Sequence, residues 1–548
     1  MKRDLDMMGS KNYDIAIIGG GITGACTAWD ASLRGLKVAL VDKGDFSSGT
    51  SSATSKLIHG GLRYLKKMEV GLVRESLQER RIMEIIAPHL VYPLPFVFPA
   101  YGWGLRGLPA ITSAMVLYDT LAYDKKWLDD DDKKIPSHEK LSTKATIEAE
   151  PGLDPKGVKG SVIYYDCQMY SPERLVLEFI LSADEYGADI ANYAEFEKFI
   201  MKGDTVEGIH VRDVLTDKEY DIKANVTINA AGPWADYILG FLHNRSRWGL
   251  VRSKGIHILT RLITKDHGVT LQTPGGRHFF AIPWRGHSLI GTTDVVYKGD
   301  PDDCGVTESD ITEFINEINP VYPSAKLTMD DVLYAYAGLR PIVEKDTSVE
   351  IDVYDASRKY EIYDHEKDDG IKGFMTAVGG KYTTSRNLAE KLVELACEKL
   401  NKEIKPCLTH TTPLYGGEIG RYASFVGRAK KTRPQKISDA TIDVLCRNYG
   451  SRYPDVLAIA GENKKHKKLI CDRYPDIMAE VIYAVRTEGA MRLSDVLFRR
   501  TGLCTLGNPD DDTIEKVADV MAGELKWDKK RKNMEIDHAL SKFALSKE

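Results

Sequence analysis

Three glycines followed by an acidic residue are the first group in the sequence with a recognisable chemical use. The run GGGITG places Gly19, Gly21 and Gly24 in the spacing G-x-G-x-x-G, and Asp42 follows at about the 20-residue distance of a dinucleotide fingerprint. Gly19 would permit a tight turn, Gly21 would let the backbone approach a pyrophosphate, and Gly24 would let a helix pack close to a strand. Asp42 would accept hydrogen bonds from ribose hydroxyls.

The elements that must position these residues form a βαβ unit. The apolar, β-branched run 15–18 predicts a buried strand, helix-forming residues follow the glycines, and 37–41 predicts a second strand that ends on Asp42. The helix N-terminus, at Ile22 and Thr23, would bind the pyrophosphate because its N–H groups are unpaired and its dipole favours an anion. The pattern predicts dinucleotide binding, but it does not say which dinucleotide is bound.

The segment directly behind this unit resembles a known enzyme family. Residues 49–65 read GTSSATSKLIHGGLRYL, which resembles the FAD-dependent glycerol-3-phosphate dehydrogenases and the related glycerophosphate oxidases of the D-amino-acid-oxidase-like flavoprotein superfamily. The resemblance implies that the cofactor is FAD and that a hydroxyl-rich loop surrounds its ribose, pyrophosphate and flavin end. The matching positions are Ser51, Ser52, Thr54, Lys56, Leu57 and His59.

Three further motifs carry the resemblance along the chain. NAAGPWA at 229–235 resembles the end of the family's second flavin-contacting strand, where small residues let the cofactor pass close to the backbone. GTTD at 291–294 resembles a motif of the substrate domain, and GGKYTT at 379–384 resembles the loop that faces the isoalloxazine ring. The FAD-contacting positions that these motifs imply are Ala231, Gly232, Gly380, Lys381 and Thr383.

The implied reaction is oxidation of sn-glycerol 3-phosphate to dihydroxyacetone phosphate, with a hydride moving from C2 to flavin N5 and a proton moving to a base. A phosphate dianion is best bound by guanidinium groups, which reach two of its oxygens at once. Arg63 and Arg340 are therefore the predicted substrate ligands, with Lys381 adding a charge and Tyr64 a hydroxyl donor. Which arginine binds the phosphate and which faces the reacting oxygen stays open at this point.

Histidine is the expected base because its pKa lies near the working pH. His257 matches a family histidine and ranks first, followed by His59 and His287. The competing interpretation of His257 is a strand histidine with a structural role only. Arg340 or Arg63 would not act as a base, since arginine stays protonated, but either could stabilise the developing alkoxide.

Composition limits the other classes of function. The formal net charge of −5 argues against a general nucleic-acid binder. No apolar run reaches the roughly 20 residues of a membrane-spanning helix, and the N-terminus lacks the apolar core of a signal peptide. The eight cysteines are scattered without a C-x-x-C pair, so no metal site is predicted. We expect a cytoplasmic protein, with peripheral contact to the inner face of the cell membrane as an option.

The order of predicted elements indicates an α/β fold with interleaved domains. We expect a Rossmann-type FAD-binding domain, an antiparallel-sheet substrate domain inserted into it, and an all-helical C-terminal domain with basic patches. The predicted ranges are 12–95, 160–250 and 345–402 for the FAD domain, 96–159 and 251–344 for the substrate domain, and 403–548 for the helical domain.

Three functions remain open from the sequence. The first is a dehydrogenase that passes electrons to a membrane quinone and touches the bilayer through segment 93–121 or through the basic C-terminal domain. The second is an oxidase that passes them to O2 and releases H2O2, and the third is a non-enzymatic FAD-binding scaffold. The absence of a large insertion in the substrate domain favours the dehydrogenase, and the paired cations argue against the scaffold. A homodimer is implied by the resemblance alone.

Overall fold

The computed structural model describes residues 1–104, 107–242, 249–273, 275–344, 359–403 and 405–547. In chain order its strands are β1 (Asn12–Ile18), β2 (Val38–Val41), β3 (Leu57–Ile58), β4 (Val91–Tyr101), β5 (Glu139–Leu141), β6 (Val158–Met169), β7 (Asp189–Ala191), β8 (Ala194–Lys202), β9 (Thr205–Asp213), β10 (Glu219–Asn229), β11 (Gly249–Thr260), β12 (Gly268–Gln272), β13 (His278–Trp284), β14 (His287–Gly291), β15 (Val295–Tyr297), β16 (Val332–Glu344), β17 (Tyr360–Asp364) and β18 (Phe374–Gly379).

The α-helices, again in chain order, are α1 (Leu5–Ser10), α2 (Ile22–Leu33), α3 (Val70–Ile86), α4 (Leu108–Leu121), α5 (Thr143–Ala149), α6 (Pro172–Glu185), α7 (Ala235–Gly240), α8 (Glu308–Ile318), α9 (His365–Asp368), α10 (Ser385–Lys399), α11 (Tyr422–Lys431), α12 (Asp439–Tyr449), α13 (Tyr453–Glu462), α14 (Met478–Arg486), α15 (Asp511–Leu525) and α16 (Lys529–Ser541). Single helical turns at Leu62–Lys67 and Tyr382–Thr384, and a wider turn at Asp495–Arg500, carry residues of the site described below.

A mainly parallel sheet forms the first layer, in the order β17-β18-β10-β1-β2-β7. The registers place Ile18 opposite both Val41 and Asn229, so the carboxyl ends of β1, β2 and β10 meet at one edge. Buried side chains of α2, α6 and α10 cover one face of the sheet, while β8 and β9 extend it as an antiparallel hairpin packed against the other face. Ligands of open α/β sheets bind at this edge.

The second sheet is largely antiparallel and follows the order β15-β11-β14-β13-β12-β4-β6-β3, with β16 paired to β11 and β5 to β6. The long pair β11–β16 sets Arg340 opposite Ser253 and Tyr336 opposite His257. Helix α8 covers one side of this sheet and α4 packs near β4 and β6. This layer therefore supplies the wall that faces the edge of the parallel sheet.

Helices α11 to α16 form the C-terminal part, with two apolar clusters of their own. Buried ion pairs join it to the parallel-sheet layer, among them Arg174 of α6 with Glu488 at 2.5 Å and Arg500 with Asp45 at 2.6 Å. Within the described ranges, no helix combines the length and apolar composition that crossing a bilayer requires.

The local predictions agree with these elements. The helix behind the glycines spans Ile22–Leu33, and Ser171 caps α6 by accepting a hydrogen bond from the Arg174 N–H at 3.1 Å. The α/β class, the interleaved sheets and the helical C-terminal part are confirmed. The acidic segment 129–134, DDDDKK, reads from the sequence as a solvated loop, and this is wrong for Lys133, whose side chain is buried and donates to the Val91 carbonyl.

The predicted domain ranges stay a prediction. The structure adds that the boundaries 95/96 and 159/160 fall inside β4 and β6, which pair with each other over most of their lengths. The boundary 344/345 lies at the edge of the described residues. Segment 93–121 contains part of β4 and all of α4, as expected for a core strand followed by a helix.

Candidate active site

A cavity of about 2350 Å³ is lined by both sheets and by the C-terminal helices. Its volume exceeds the roughly 300–1,000 Å³ of an ordinary small-molecule pocket, so a dinucleotide and a substrate fit together. With the exception of Gly24 and the third-ranked histidine His287, all predicted site residues line it: Gly19, Gly21, Ile22, Thr23, Asp42, Ser51, Ser52, Thr54, Lys56, Leu57, His59, Arg63, Tyr64, Ala231, Gly232, His257, Arg340, Gly380, Lys381 and Thr383.

The glycine turn has the geometry of a cradle for a ligand backbone. Gly19 has a φ of +110°, and a Cβ there would lie 2.7 Å from the Ala230 carbonyl oxygen. Gly24 lies inside α2 rather than on the cavity wall, and a Cβ there would lie 1.9 Å from the Gly19 oxygen. Helix α2 therefore sits against β1 as closely as backbone allows. Its N-terminus at Gly21 lacks a side-chain cap and faces the cavity.

Asp42 fixes the loops at the ends of β1 and β2. Its carboxylate accepts hydrogen bonds from the Gly20 N–H at 2.6 Å and the Gly44 N–H at 2.8 Å. Burial raises the pKa of this carboxyl to about 6, although the two N–H donors act in the opposite direction. The carboxylate lines the cavity beside the turn, where a ribose would follow the pyrophosphate.

The hydroxyl-rich loop closes over the N-terminus of α2. Ser51 Oγ accepts a hydrogen bond from the Ile22 N–H at 2.9 Å, and Thr50 Oγ1 donates to the Leu339 carbonyl at 2.6 Å. The Thr54 carbonyl accepts from the Tyr336 hydroxyl at 2.6 Å. The loop thus joins the two sheets across the cavity, and Ser52 and Thr54 line it between these anchors.

A cationic cluster stands on the turn that follows this loop. Lys381 Nζ lies 4.0 Å from the centroid of the Tyr64 ring, and Arg63 donates to the Tyr64 hydroxyl at 3.1 Å. Gly61 makes room for this arrangement, because a Cβ there would lie 2.5 Å from both Lys381 Nζ and the Tyr64 ring. Burial and the neighbouring Arg63 lower the pKa of Lys381 to about 7. The carboxylates of Asp166, Glu75 and Glu69 act in the opposite direction without restoring this pKa, so an anionic ligand beside Lys381 would be stabilised.

Gly255 of β11 leaves a second such space, which we call a glycine cut-out, and Arg340 of β16 lies over it. A Cβ on Gly255 would lie 2.0 Å from Arg340 Nη2, so the guanidinium occupies the space above that glycine. The group donates to Ser253 Oγ and Asp294 Oδ1, each at 3.1 Å, and to Thr292 Oγ1 at 2.7 Å. Arg340 is thereby oriented by the strand pair and by the GTTD segment.

His257 lies two residues after Gly255, on the same face of β11, and is 2% exposed. A Cβ on Gly291 would lie 2.0 Å from its ring, so a third glycine makes room for it. Its Nε2 lies 2.8 Å from Ser55 Oγ, and the ring stacks on Tyr336 at 5.0 Å. Burial, then the charges of Arg340 and Lys56, hold the pKa of His257 well below its usual value. His257 is therefore neutral at physiological pH and able to accept a proton, but its pKa lies below the working pH and not near it as expected from the sequence.

The other two histidines differ from His257. His59 lines the cavity, its N–H donates to Thr383 Oγ1 at 3.2 Å, and burial together with Lys381 and Arg63 lowers its pKa to about 3. His287 lies at the start of β14, its Nδ1 is 3.0 Å from the Arg285 carbonyl, and it is not among the lining residues. The structure thus brings His257 and His59 to the cavity and leaves His287 outside it.

Lys56 has a partner that the sequence did not indicate. Its Nζ forms a buried ion pair with Glu173 Oε1 at 2.6 Å and lies over the rings of Trp284 and Tyr336. Two further residues were missed from the sequence: Ser55, which lies within the segment 49–65, and Tyr336, whose hydroxyl donates to the Thr54 carbonyl of that segment. The signal for Glu173 is its place in the first turn of α6, where a carboxylate faces the strand ends.

The cavity fits a dinucleotide cofactor on the evidence of its own residues. The turn at Gly19 and the N-terminus of α2 lie where a pyrophosphate would bind. Asp42 lies beside them, where a ribose would follow. Gly232, Gly379 and Gly380 all have positive φ and carry backbone close to the cavity further along. A Cβ on Gly232 would meet nothing within 4 Å, whereas a Cβ on Gly379 would lie 3.1 Å from the Lys359 carbonyl oxygen and one on Gly380 would lie 3.1 Å from Tyr360 Cβ.

The chain matches two protein families in succession. Residues 14–386 match the FAD dependent oxidoreductase family, and residues 407–532 match the C-terminal domain of alpha-glycerophosphate oxidase. The fold, the dinucleotide-binding residues around the glycine turn and the family matches together define the protein as an FAD-dependent oxidoreductase.

Similar proteins narrow the class. The chain is 37% identical over 510 residues to a glycerol-3-phosphate dehydrogenase of Synechocystis sp., with 90% of each covered. It is 34% identical to the aerobic glycerol-3-phosphate dehydrogenase of Bacillus subtilis, with 98% of this chain and 95% of the relative covered. The protein belongs to the FAD-dependent glycerol-3-phosphate dehydrogenase family.

Solved structures agree with this assignment. The glycerol-3-phosphate dehydrogenase from Bacillus halodurans, complexed with FAD, superimposes with a TM-score of 0.78 at 29% identity, over 98% of this chain and 96% of that one. The L-alpha-glycerophosphate oxidase from Mycoplasma pneumoniae, with FAD bound, has a TM-score of 0.53 at 18% identity over 74% of this chain. The second likeness shows the fold alone.

Proposed function

We propose that this protein oxidises sn-glycerol 3-phosphate to dihydroxyacetone phosphate and passes the electrons to a membrane quinone. The observation that carries the proposal is the placement of two sets of groups on one cavity. Arg63, Tyr64 and Lys381 form a phosphate-sized cationic cluster on one wall, and Arg340 stands beside His257 on another. A polyol phosphate has a matching pair of ends, one anionic and one a secondary alcohol.

The cationic cluster holds the phosphate in this proposal. Phosphate monoesters carry up to two negative charges because their second pKa is about 6. Arg63 offers a fork of donors, Lys381 a point charge and Tyr64 a hydroxyl, and the helical turns that begin at Gly61 hold the backbone of Arg63 and Tyr64. Binding a dianion would offset the burial and the Arg63 charge that lower the Lys381 pKa, so affinity for the phosphate end and charge on Lys381 are coupled.

The pair Arg340 and His257 handles the alcohol end. Neutral His257 takes the proton of the C2 hydroxyl, and its ring is held for this by Ser55 and by stacking on Tyr336. Arg340 stabilises the negative charge that develops on the C2 oxygen and remains protonated throughout. FAD, when bound, supplies the hydride acceptor.

The same cations argue against the scaffold alternative. Gly61, Gly255 and Gly291 each leave space for a charged or titratable side chain at the cavity wall, and glycine at these positions costs conformational entropy on folding. A protein that only stored FAD would have no use for these three cut-outs.

An apolar surface next to the cavity supports a membrane quinone as the acceptor. Trp103, Val116 and Trp127 are exposed by 86%, 52% and 64%, and Tyr123 by 61%, all on or next to α4. Leu117 of the same helix is exposed and also lines the cavity. Aromatic side chains at this density suit the headgroup region of a bilayer. We therefore propose peripheral contact through α4 with the inner face of the cell membrane.

Sedimentation with lipid vesicles tests this contact. The variant Trp103→Ser/Trp127→Ser should lose most of its vesicle binding, and its rate with a vesicle-bound quinone should fall while its rate with a soluble dye acceptor stays unchanged. The matched control is Met201→Ser/Leu469→Ser, which removes two exposed apolar side chains elsewhere. Equal loss in both variants would contradict a specific role for α4.

Turnover measurements separate the two acceptors. With glycerol 3-phosphate as donor, we expect fast turnover with a soluble quinone and slow turnover in air with little H2O2. Fast turnover in air with one H2O2 per substrate would establish the oxidase instead. The division into three domains and a homodimeric state are further parts of the proposal. Limited proteolysis tests the domain boundaries, and sedimentation equilibrium tests the homodimer.

A further inference from the structure

Cationic side chains of the C-terminal part line a region of the cavity that the proposed reaction does not use. Arg492 and Arg499 come from the segment around the wide turn Asp495–Arg500, and His538 and Lys542 come from the end of α16. All four line the cavity wall. Burial, then the charges of Arg499 and Arg492, lowers the pKa of Lys542, which agrees with their close spacing.

Neighbouring acids do not neutralise all of these cations. Arg499 is paired with Asp45 and Asp495. Asp495 Oδ2 accepts from the N–H groups of Met491 and Arg492, so that carboxylate is engaged. Across the described part of the chain, neither the Arg492 guanidinium nor the Lys542 ammonium has a carboxylate within 4.0 Å or a hydrogen bond to a side chain.

The Arg492 guanidinium is held in place without an anionic partner. It lies over the Tyr193 ring at 5.0 Å, and its Nε is buried without a hydrogen-bond acceptor. The Tyr193 hydroxyl donates to Asp495 Oδ1 at 2.6 Å, which fixes the ring beneath the guanidinium. A buried donor of a charged group that lacks an acceptor is costly, so an acceptor from a ligand would stabilise this arrangement.

The cluster is separate from the glycine turn. Val41 of β2 pairs with both Ile18 of β1 and Ala191 of β7, so β7 is two strands away from β1. At about 4.8 Å per strand, Tyr193 at the end of β7 lies roughly 10 Å along the sheet edge from Gly19. The cations at Tyr193 are thus beyond the position of Asp42 and do not serve a pyrophosphate at the turn.

We propose that Arg492, His538 and Lys542 form a binding site for a small anion with a phosphate or carboxylate group. The anion would accept from the guanidinium and the ammonium group and join α16 to the end of β7. Arg499 of the same cluster forms an ion pair with Asp45, which follows the predicted ribose ligand Asp42 by three residues. An anion bound at this site would therefore affect the position of the loop that contacts the cofactor.

Titration calorimetry of the FAD-loaded protein with inorganic phosphate and with malonate tests the site. We expect two phosphates per wild-type chain, one at the substrate cluster and one here. The variant Arg492→Gln/Lys542→Gln should weaken one of them at least tenfold, whereas Arg63→Gln should weaken only the other. The matched control Lys529→Gln/Lys530→Gln removes two exposed charges from the start of α16 and should bind as the wild type does.

The outcomes decide between the assignments. Selective binding of phosphate, or of malonate, with loss in Arg492→Gln/Lys542→Gln supports the site and identifies the anion class. Unchanged binding in this variant overturns it, as does a lower FAD content on purification, which would assign the cations to the cofactor. If the double variant does not fold, the single variant Lys542→Gln must show the same selective loss.

Discussion

At the scale of single residues, three glycines determine where the reactive groups lie. Gly61, Gly255 and Gly291 leave the spaces occupied by Lys381, Arg340 and His257. The residue types of this site could be predicted from the sequence, because the sequence shows cationic residues next to glycine-containing loops. The cut-outs could not, since each depends on a cross-strand or cross-loop neighbour that only the folded chain provides.

Gly255→Ala tests the second of these cut-outs. The added methyl group would displace the Arg340 guanidinium, and we expect kcat/KM for glycerol 3-phosphate to fall about 10²–10³-fold, the scale of losing one donor to a developing oxyanion. Steady-state kinetics measure this. Gly523→Ala is the control, because that glycine is helical, exposed and without neighbours. An unchanged kcat/KM in Gly255→Ala would remove Arg340 from the reaction.

The pKa of Lys381 predicts the upper limb of the pH profile. Because that pKa is lowered to about 7, the free enzyme loses this positive charge as pH rises through 7, and kcat/KM for the dianionic substrate should fall tenfold per pH unit above it. Lys381→Arg stays protonated and should keep a flat profile to higher pH. Identical profiles for the two proteins would show that Lys381 does not titrate in the free site.

At the scale of elements, the βαβ unit and the hairpin β13–β14 follow from local sequence, whereas the partners of the strands do not. Strands β4 and β6 pair across the 56 residues 102–157, which include α4 and α5, and no periodicity reveals this pairing. The same holds for contacts between the C-terminal part and the cofactor loop. Long-range pairing depends on tertiary burial, so the sequence predicts element types better than their neighbours.

The ion pair between Arg500 and Asp45 joins such distant elements. Burial alone would raise the pKa of Asp45, but Arg500 and Arg499 hold it below its usual range. Arg500→Met should lower the free energy of unfolding by about 3–5 kcal/mol, the cost of breaking a buried pair from one side, and should weaken FAD binding. Urea unfolding and fluorescence titration of apoprotein with FAD measure the two effects.

The matched control for this prediction is Arg486→Met. Arg486 forms ion pairs with Glu462 and Glu524 at the surface, where such pairs contribute about 0–1 kcal/mol. A loss for Arg500→Met no larger than that of the control, with FAD affinity intact, would mean that the C-terminal part does not stabilise the cofactor loop.

At the scale of the whole molecule, one cavity receives residues from three layers that are far apart in sequence. The parallel sheet supplies the cradle for FAD, the antiparallel sheet supplies Arg340 and His257, and the C-terminal part adds the cations that line the cavity beyond Asp42. This division explains why the chain alternates between the two sheets before it enters the helical part. Each time the chain passes from one sheet to the other, it adds further site residues to the wall of the cavity.

Rapid-mixing measurement of flavin reduction without oxygen tests the central claim most directly, with glycerol 3-phosphate and glycerol compared at several concentrations. If Arg63 and Lys381 bind the phosphate while His257 and Arg340 act at C2, glycerol 3-phosphate should bleach the flavin rapidly, and glycerol should do so at least a thousandfold less efficiently, about 4 kcal/mol of lost transition-state binding. Equal reduction by both alcohols, or reduction by neither, would contradict the account.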